Sequence, residues 1–222
     1  HFAEKIWDVP CIITYRPPIE YCIPETSPLP YKKNDYITFG SFSRFEKLSD
    51  SALRCFAEIL EQVPGSKLYL KDDAYRRPYS IRRVLKAIPD RNRVIFGIST
   101  SHPEHVMEYQ KADIILDTFP HGMGVVTAEA LFAGVPIITR YGKQPSGRTA
   151  SSVLTAMGRT EWIAKTEAEY VALAVEWAGR TKDLADARQT LRKEFLESPV
   201  VAGYPAAVEA AYRGMWKEWC AK

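Results

Sequence analysis

A chain of 222 residues with 46% hydrophobic and 26% charged residues is long enough for one large core and has the composition of a soluble globular protein. Its net charge of +3, with basic residues scattered apart from Tyr31-Lys32-Lys33, excludes the concentrated positive face that a nucleic-acid partner needs. No apolar run approaches a membrane span, and the four cysteines (Cys11, Cys22, Cys55, Cys220) lie far apart with no C-x-x-C, so a cytoplasmic, reducing compartment is expected rather than a membrane, a zinc site or a secreted disulfide framework.

The chain opens at His1-Phe2-Ala3 with neither an initiator Met nor a signal-peptide pattern, as a piece of something longer or a tag remnant would. Residues 1–34 carry Pro10, Pro17, Pro18, Pro24, Pro28 and Pro30. Apart from the apolar run Cys11–Tyr15, these exclude regular helix and central strand. A linker or wrapping segment is expected there, with the folded domain spanning residues 35–222.

The first expected strand is Tyr36–Gly40. The loop Ser41–Lys47 follows, and Ser49 caps a helix from Asp50 to Gln62 that Pro64-Gly65 stops. Lys67–Leu70 is the second strand, Ser80–Ala87 a helix and Arg93–Phe96 the third strand. Pro103 opens a helix over His105–Lys111. The central unit, Asp113 to Arg140, reads as a strand (Ile114–Leu116) with Asp117 at its carboxyl end, a loop carrying Gly122 and Gly124, a helix of about ten residues, and a strand over Val135–Thr139. Arg148–Met157 is a helix ended by Gly158, and Trp162–Ala164 a short edge strand. Helices over Glu167–Gly179, Leu184–Glu197 and Ala206–Cys220 close the chain. Strands alternating with helices make a doubly wound, Rossmann-like parallel sheet, with ligands expected beyond the carboxyl ends of the strands.

Three loops at those ends can carry chemistry. The central one places glycines just ahead of a helix, where backbone N–H groups and the helix dipole favour an anion. Thr127 and Glu129 in its first turns are expected to reach a ligand docked there, the carboxylate suiting a pair of sugar hydroxyls. A nucleotide is the inferred ligand. The first loop offers Ser41, Ser43, Arg44 and Lys47, whose cations could neutralise a diphosphate. In the loop Gly97–His105, hydroxyls and His102 and His105 stand at a helix head; two histidines without a third ligand do not make a metal site. The chain has no G-x-x-x-x-G-K-[ST] loop, no G-x-G-x-x-G after the first strand, no G-x-S-x-G elbow and no D-x-D pair for a divalent cation. Asp72-Asp73 read as loop charges.

The runs FGSFSRFEKLS (Phe39–Ser49), STSHPEH (Ser99–His105), ADIILDTFPHGMGVVTAEALFAGVP (Ala112–Pro136) and GRTASSVLTAMGRTEWIA (Gly147–Ala164) resemble the O-GlcNAc transferase family and its bacterial tetratricopeptide-linked members. So does the ending, Ser198-Pro199 and a helix rich in Tyr and Trp. The resemblance implies the C-terminal, nucleotide-binding half of a glycosyltransferase B architecture, belonging to an inverting, metal-independent enzyme that transfers from UDP-GlcNAc to protein Ser or Thr. The N-terminal catalytic half and the repeats would lie outside these residues, the acceptor would be met there, and the isolated piece is expected to bind with little or no transfer. No cofactor or metal is implied.

Carried over by position, the resemblance assigns Lys47 to the diphosphate as the catalytic charge, with Ser43 and Arg44 beside it. It places Thr100, Ser101 and His105 around uracil. Gly122, Met123, Gly124, Val125 and Val126 form the phosphate-cradling helix start, Thr127 follows, and Glu129 takes the ribose. The chain departs from the family at Met123-Gly124-Val125-Val126, where relatives carry Gly-Gly-Thr-Thr or His-Thr-Thr, and at Glu108, where animal members have arginine. The alternatives are a non-catalytic nucleotide- or protein-binding module of the same fold and an epimerase-like domain.

Overall fold

The computed structural model describes residues 5–16 and 26–221; the expectations placed on His1–Ala3 and Cys22 lie outside them. The elements are α1 (Tyr31–Asn34), β1 (Thr38–Ser41), α2 (Asp50–Gln62), β2 (Lys67–Lys71), α3 (Pro78–Ala87), β3 (Val94–Gly97), α4 (His102–Glu108), β4 (Ile114–Leu116), α5 (Val125–Phe132), β5 (Ile137–Arg140), α6 (Thr149–Ala156), β6 (Ile163–Ala164), α7 (Glu167–Gly179), α8 (Thr181–Glu197) and α9 (Tyr204–Cys220). The strands form one sheet in the order β3-β2-β1-β4-β5-β6, with every pair parallel.

Alternation along the strands divides the core. Leu68, Leu70, Ile114, Leu116 and Ile138 join one apolar cluster with Leu53 and Phe56 of α2 and Tyr170 and Ala174 of α7. Their neighbours Tyr69, Ile115 and Ile137 join a second with Phe42, Tyr109, Met123 and Ala130. A strand side chain points to the face opposite its neighbour's, so the clusters cover opposite faces of the sheet. Both faces being buried explains why these strands read as continuous apolar runs.

Several boundaries differ from the sequence expectation for local reasons. Ser49 does cap α2, accepting from the Ala52 N–H at 3.1 Å. Helix α4 begins three residues earlier than expected, because the Ser101 N–H and hydroxyl both donate to Glu104 at 3.1 and 2.9 Å and close its first turn. It gives way to a tight turn over Tyr109–Lys111. One turn of helix, α1, forms in the proline-rich segment where none was expected. That segment packs into the domain through Cys11, Tyr15 and Leu29. The fully buried Arg188 of α8 fastens it, donating to the carbonyls of Ser27 (2.8 Å), Gln110 (2.7 Å) and Ala112 (2.9 Å); burial pulls this guanidinium down to about 10.

Helix α9 stands apart, with none of its residues buried. Tyr212, Trp216 and Trp219 are each about two-thirds exposed (66%, 67%, 70%). Trp7 lies against Gly214, where a Cβ would collide with its ring. Cys11 and Cys55 are buried free thiols and Cys220 an exposed one. Among the described residues, no helix is long and apolar enough to cross a membrane.

Candidate functional site

The strand order reverses between β1 and β4, and in an open parallel sheet a crevice forms beyond the carboxyl ends of the two strands at such a point. The loops that leave β1 and β4 are joined across it. The Ser43 hydroxyl lies 3.1 Å from the Thr118 hydroxyl; Thr118 itself donates to the His121 carbonyl at 2.9 Å, so Ser43 is the donor of that pair. Lys47 Nζ donates to the Gly122 carbonyl at 3.0 Å. Burial lowers the Lys47 ammonium below its ordinary pKa, the Asp117 charge opposes this, and Arg44 adds to it.

Asp117 shapes the second of these loops. Its Oδ1 accepts from the N–H of Thr118 (2.8 Å) and of Met123 (2.7 Å), and its Oδ2 from the Thr139 hydroxyl (2.6 Å). Its carbonyl accepts from the Tyr170 hydroxyl at 2.9 Å. Burial pushes this carboxyl up to about 6 against the pull of those donors and of Lys47. The loop therefore turns about one carboxylate, holds a cis Phe119-Pro120 bond, and delivers the chain to α5 with Gly124 at the cap.

At the start of α5, a Cβ placed on Gly124 would meet no heavy atom within 4 Å, and Val125 is 56% exposed. The first N–H groups of a helix have no partner within it, so this end presents donors and the positive end of the dipole to the crevice. Fewer N–H groups are free for that role than the five expected from Gly122 to Val126. The Gly122 N–H is spent on the Ser146 carbonyl at 3.0 Å and the Met123 N–H on Asp117, which leaves Gly124, Val125 and Val126. Thr127 is corrected as well: it is fully buried, and its hydroxyl turns back to the Met123 carbonyl at 3.3 Å, so it is not offered to a ligand on the loop.

The opposite wall gathers on Glu129, whose carboxylate is buried. One oxygen lies 2.7 Å from His102 Nε2. The other accepts from the Tyr109 hydroxyl at 2.9 Å and stands 3.6 Å from His105 Nε2. Tyr109 is also 3.1 Å from His105 Nε2. On its far side His105 meets Lys71 Nζ at 3.0 Å, and Lys71 reaches the Thr100 hydroxyl at 2.8 Å and Glu108 at 3.1 Å. Glu108 further accepts from the Tyr69 hydroxyl at 2.6 Å and pairs with Lys111 at 3.3 Å. Thr100 and Ser101 are exposed at the rim of this wall.

Lys47 thus meets the loop ahead of α5, Ser43 ties the loops leaving β1 and β4, and His105 stands beside Glu129 further along α5. Arg44 is exposed beside Lys47. Asp117, Lys71 and Tyr109 were not among the expected site residues. A carboxylate at the end of a buried strand was the visible clue to Asp117, and a lysine closing the apolar run Leu68–Leu70 the clue to Lys71. Asp72 and Asp73 are local fasteners, accepting from the N–H of Ala74 (2.7 Å) and Ser99 (3.1 Å). Among the described residues no group of three or more His, Cys, Asp and Glu could hold a metal ion. A cavity of about 540 Å³ between α2 and α3 lies in the helical layer, where Arg83 is already paired with Asp50 at 2.7 Å.

Known proteins resemble this chain in sequence and fold. A family model described as Glycosyl transferase family 41 matches residues 22–204. The probable UDP-N-acetylglucosamine–peptide N-acetylglucosaminyltransferase SPINDLY of Petunia hybrida is 34% identical over 202 residues, covering 87% of this chain and 22% of that protein. The UDP-N-acetylglucosamine–peptide N-acetylglucosaminyltransferase of Caenorhabditis elegans is 33% identical over 194 residues, covering 84% and 16%. The chain therefore spans under a quarter of the length of these curated relatives. Among solved structures, a mutant of the Thermobaculum terrenum O-GlcNAc transferase matches with a TM-score of 0.80 and 26% identity, over 92% of this chain and 39% of that one. Anabaena HepE, crystallised with UDP and glucose, matches with a TM-score of 0.57 and 15% identity, over 89% and 54%, a likeness of fold alone. The expected Rossmann-like half of a glycosyltransferase B architecture is thus present. Because the family match covers all six strands of the sheet and both loops of its switch point, the chain belongs to glycosyl transferase family 41.

Proposed function

We propose that this chain is the UDP-sugar-binding half of a protein O-glycosyltransferase that moves a sugar, GlcNAc by the names of its relatives, to Ser or Thr with inversion and without a metal. The observation that carries the reading is the pairing of the open head of α5 with Lys47 across one crevice. A diphosphate between them would meet backbone donors on one side and an ammonium on the other. Both stabilise the charge that builds on the nucleotide as it leaves, and neither needs to rearrange to do so. Glu129 would take the ribose hydroxyls and the Thr100–His105 segment the base. The acceptor would be positioned by parts of the protein beyond this half, so the 222 residues alone are expected to bind with little turnover.

The absence of side-chain hydroxyls at Val125 and Val126 favours a second reading, a module that keeps the fold and has lost transfer. Calorimetric titration of the chain with UDP, UDP-GlcNAc and GDP, without added metal, separates the two. Binding of the uridine ligands but not GDP supports the transferase reading. Equal binding of GDP removes uracil selection, and no binding of any of them moves the module ahead.

A further inference from the structure

Lys71 closes β2, and its side chain is 1% exposed. A buried ammonium is costly unless each of its donors is met. Here three N–H groups have three acceptors: the Thr100 hydroxyl at 2.8 Å, His105 Nδ1 at 3.0 Å and Glu108 at 3.1 Å. A lysine ammonium only donates, so Nδ1 of His105 is the acceptor and the ring proton is on Nε2. Nε2 faces the Tyr109 hydroxyl at 3.1 Å, and that hydroxyl donates to Glu129 at 2.9 Å. A one-way chain of donors thus runs from the end of β2, through α4 and the turn after it, to the carboxylate on α5. Burial and the Lys71 charge both hold His105 below its ordinary pKa, as a neutral ring requires.

The same ammonium also fixes the rim. Thr100 is exposed on a loop, yet its hydroxyl is tied to a side chain inside the sheet. The residues assigned above to the base and to the ribose therefore share one anchor.

We propose that Lys71 is a positioning residue of the nucleotide site: by holding His105 as its Nε2–H tautomer and Thr100 in place, it orients Glu129 for the ribose and couples the base-side loop to that carboxylate. The proposal rests on the nucleotide reading of the crevice. A purely structural role, pinning α4 to the sheet, would leave the tautomer and the ligand profile free of Lys71.

The test uses nitrogen-15 NMR of the histidine rings together with calorimetry on three chains: wild type, Glu108→Gln, and Lys71→Met with Glu108→Gln. The double substitution removes the ammonium and its counter-charge together, so no buried charge is left unpaired, and cooperative melting confirms that each chain folds. Wild type and Glu108→Gln should show His105 protonated at Nε2, and the double variant should lose that preference. UDP affinity should fall about tenfold in the double variant and less than about threefold in Glu108→Gln, the first being close to the loss of one net hydrogen bond. Pyrophosphate, which would need only Lys47 and α5, should bind all three alike. His105 protonated at Nδ1 in the wild type, or an unchanged tautomer in the double variant, overturns the proposal. A shifted tautomer with unchanged UDP affinity overturns it while leaving the nucleotide reading intact. A wild-type chain that binds no UDP, with the Nε2–H tautomer present, overturns both.

Discussion

The two walls of the crevice are each fastened by a buried charge, but they are fastened differently. Asp117 holds the β4–α5 loop mostly by its backbone, through the N–H groups of Thr118 and Met123. Lys71 holds the opposite wall entirely by side chains, through Thr100, His105 and Glu108. A backbone-fastened loop keeps its shape whatever side chains follow, so Met123, Val125 and Val126 do not set the course of the chain into α5. A side-chain-fastened wall depends on its particular residues. Glu108 on that wall is matched by the buried Lys71 at 3.1 Å and by Lys111 at 3.3 Å. One wall is set by backbone donors, and the other by particular side chains.

The largest expected effect comes from removing the backbone anchor. Asp117→Ala strands two buried N–H groups and should cost about 2–4 kcal/mol of folding stability together with nucleotide binding, read by urea unfolding and calorimetry. A loss under about 1 kcal/mol would mean that the other loop contacts hold the shape by themselves. Asp117→Asn keeps an acceptor for both N–H groups and isolates the charge. Because burial raises the folded-state carboxyl to about 6 from an ordinary 3.8, its contribution to stability is full below pH 3.8 and is lost as pH rises through about 6. The difference between wild-type and Asp117→Asn melting temperatures should therefore change across that window and level off above it. A constant difference would show that Asp117 does not titrate there.

Next in size is the ammonium that faces the loop. Lys47→Ala should weaken UDP binding by roughly 1–3 kcal/mol, the range for a hydrogen bond to a charged group, and should barely touch stability, since Lys47 makes its one described bond to a loop carbonyl. Unchanged UDP affinity would take Lys47 out of the site and leave α5 as the only anion-binding group of that wall.

How much of this was visible in the sequence follows the same division. Strands and helices were legible because local patterns set them: the apolar runs of β2 and β4, the Ser49 cap, and Gly158, whose φ of 75° suits the glycine that ends α6. The loop between β4 and α5 was legible because glycines before a helix after a strand are a local arrangement. The direction in which side chains point was not. Thr127 follows Gly124 by only three residues, yet its hydroxyl faces inward, because α5 buries the side chains from Thr127 to Phe132. The partners of Lys71 lie 29 and 34 residues away at Thr100 and His105. Arg188 meets Ser27 across 161. Nothing local marks such pairings, and only the folded sheet brings them together.

The smallest expected effect bears most directly on the contrast between the walls. Val125 is the first residue of α5 and more than half exposed, so Val125→Thr adds a hydroxyl at the helix head without disturbing a core contact. Stability should stay within about 0.5 kcal/mol, as for most surface substitutions. If the wall works through its backbone, UDP affinity should rise by no more than about tenfold, the worth of one added hydrogen bond. A gain of a hundredfold or more, on the order of 3 kcal/mol, would mean that the hydroxyls are the principal anion-binding groups. It would also mean that this wall has been weakened rather than conserved by its backbone, which is the condition expected of a module that has lost transfer.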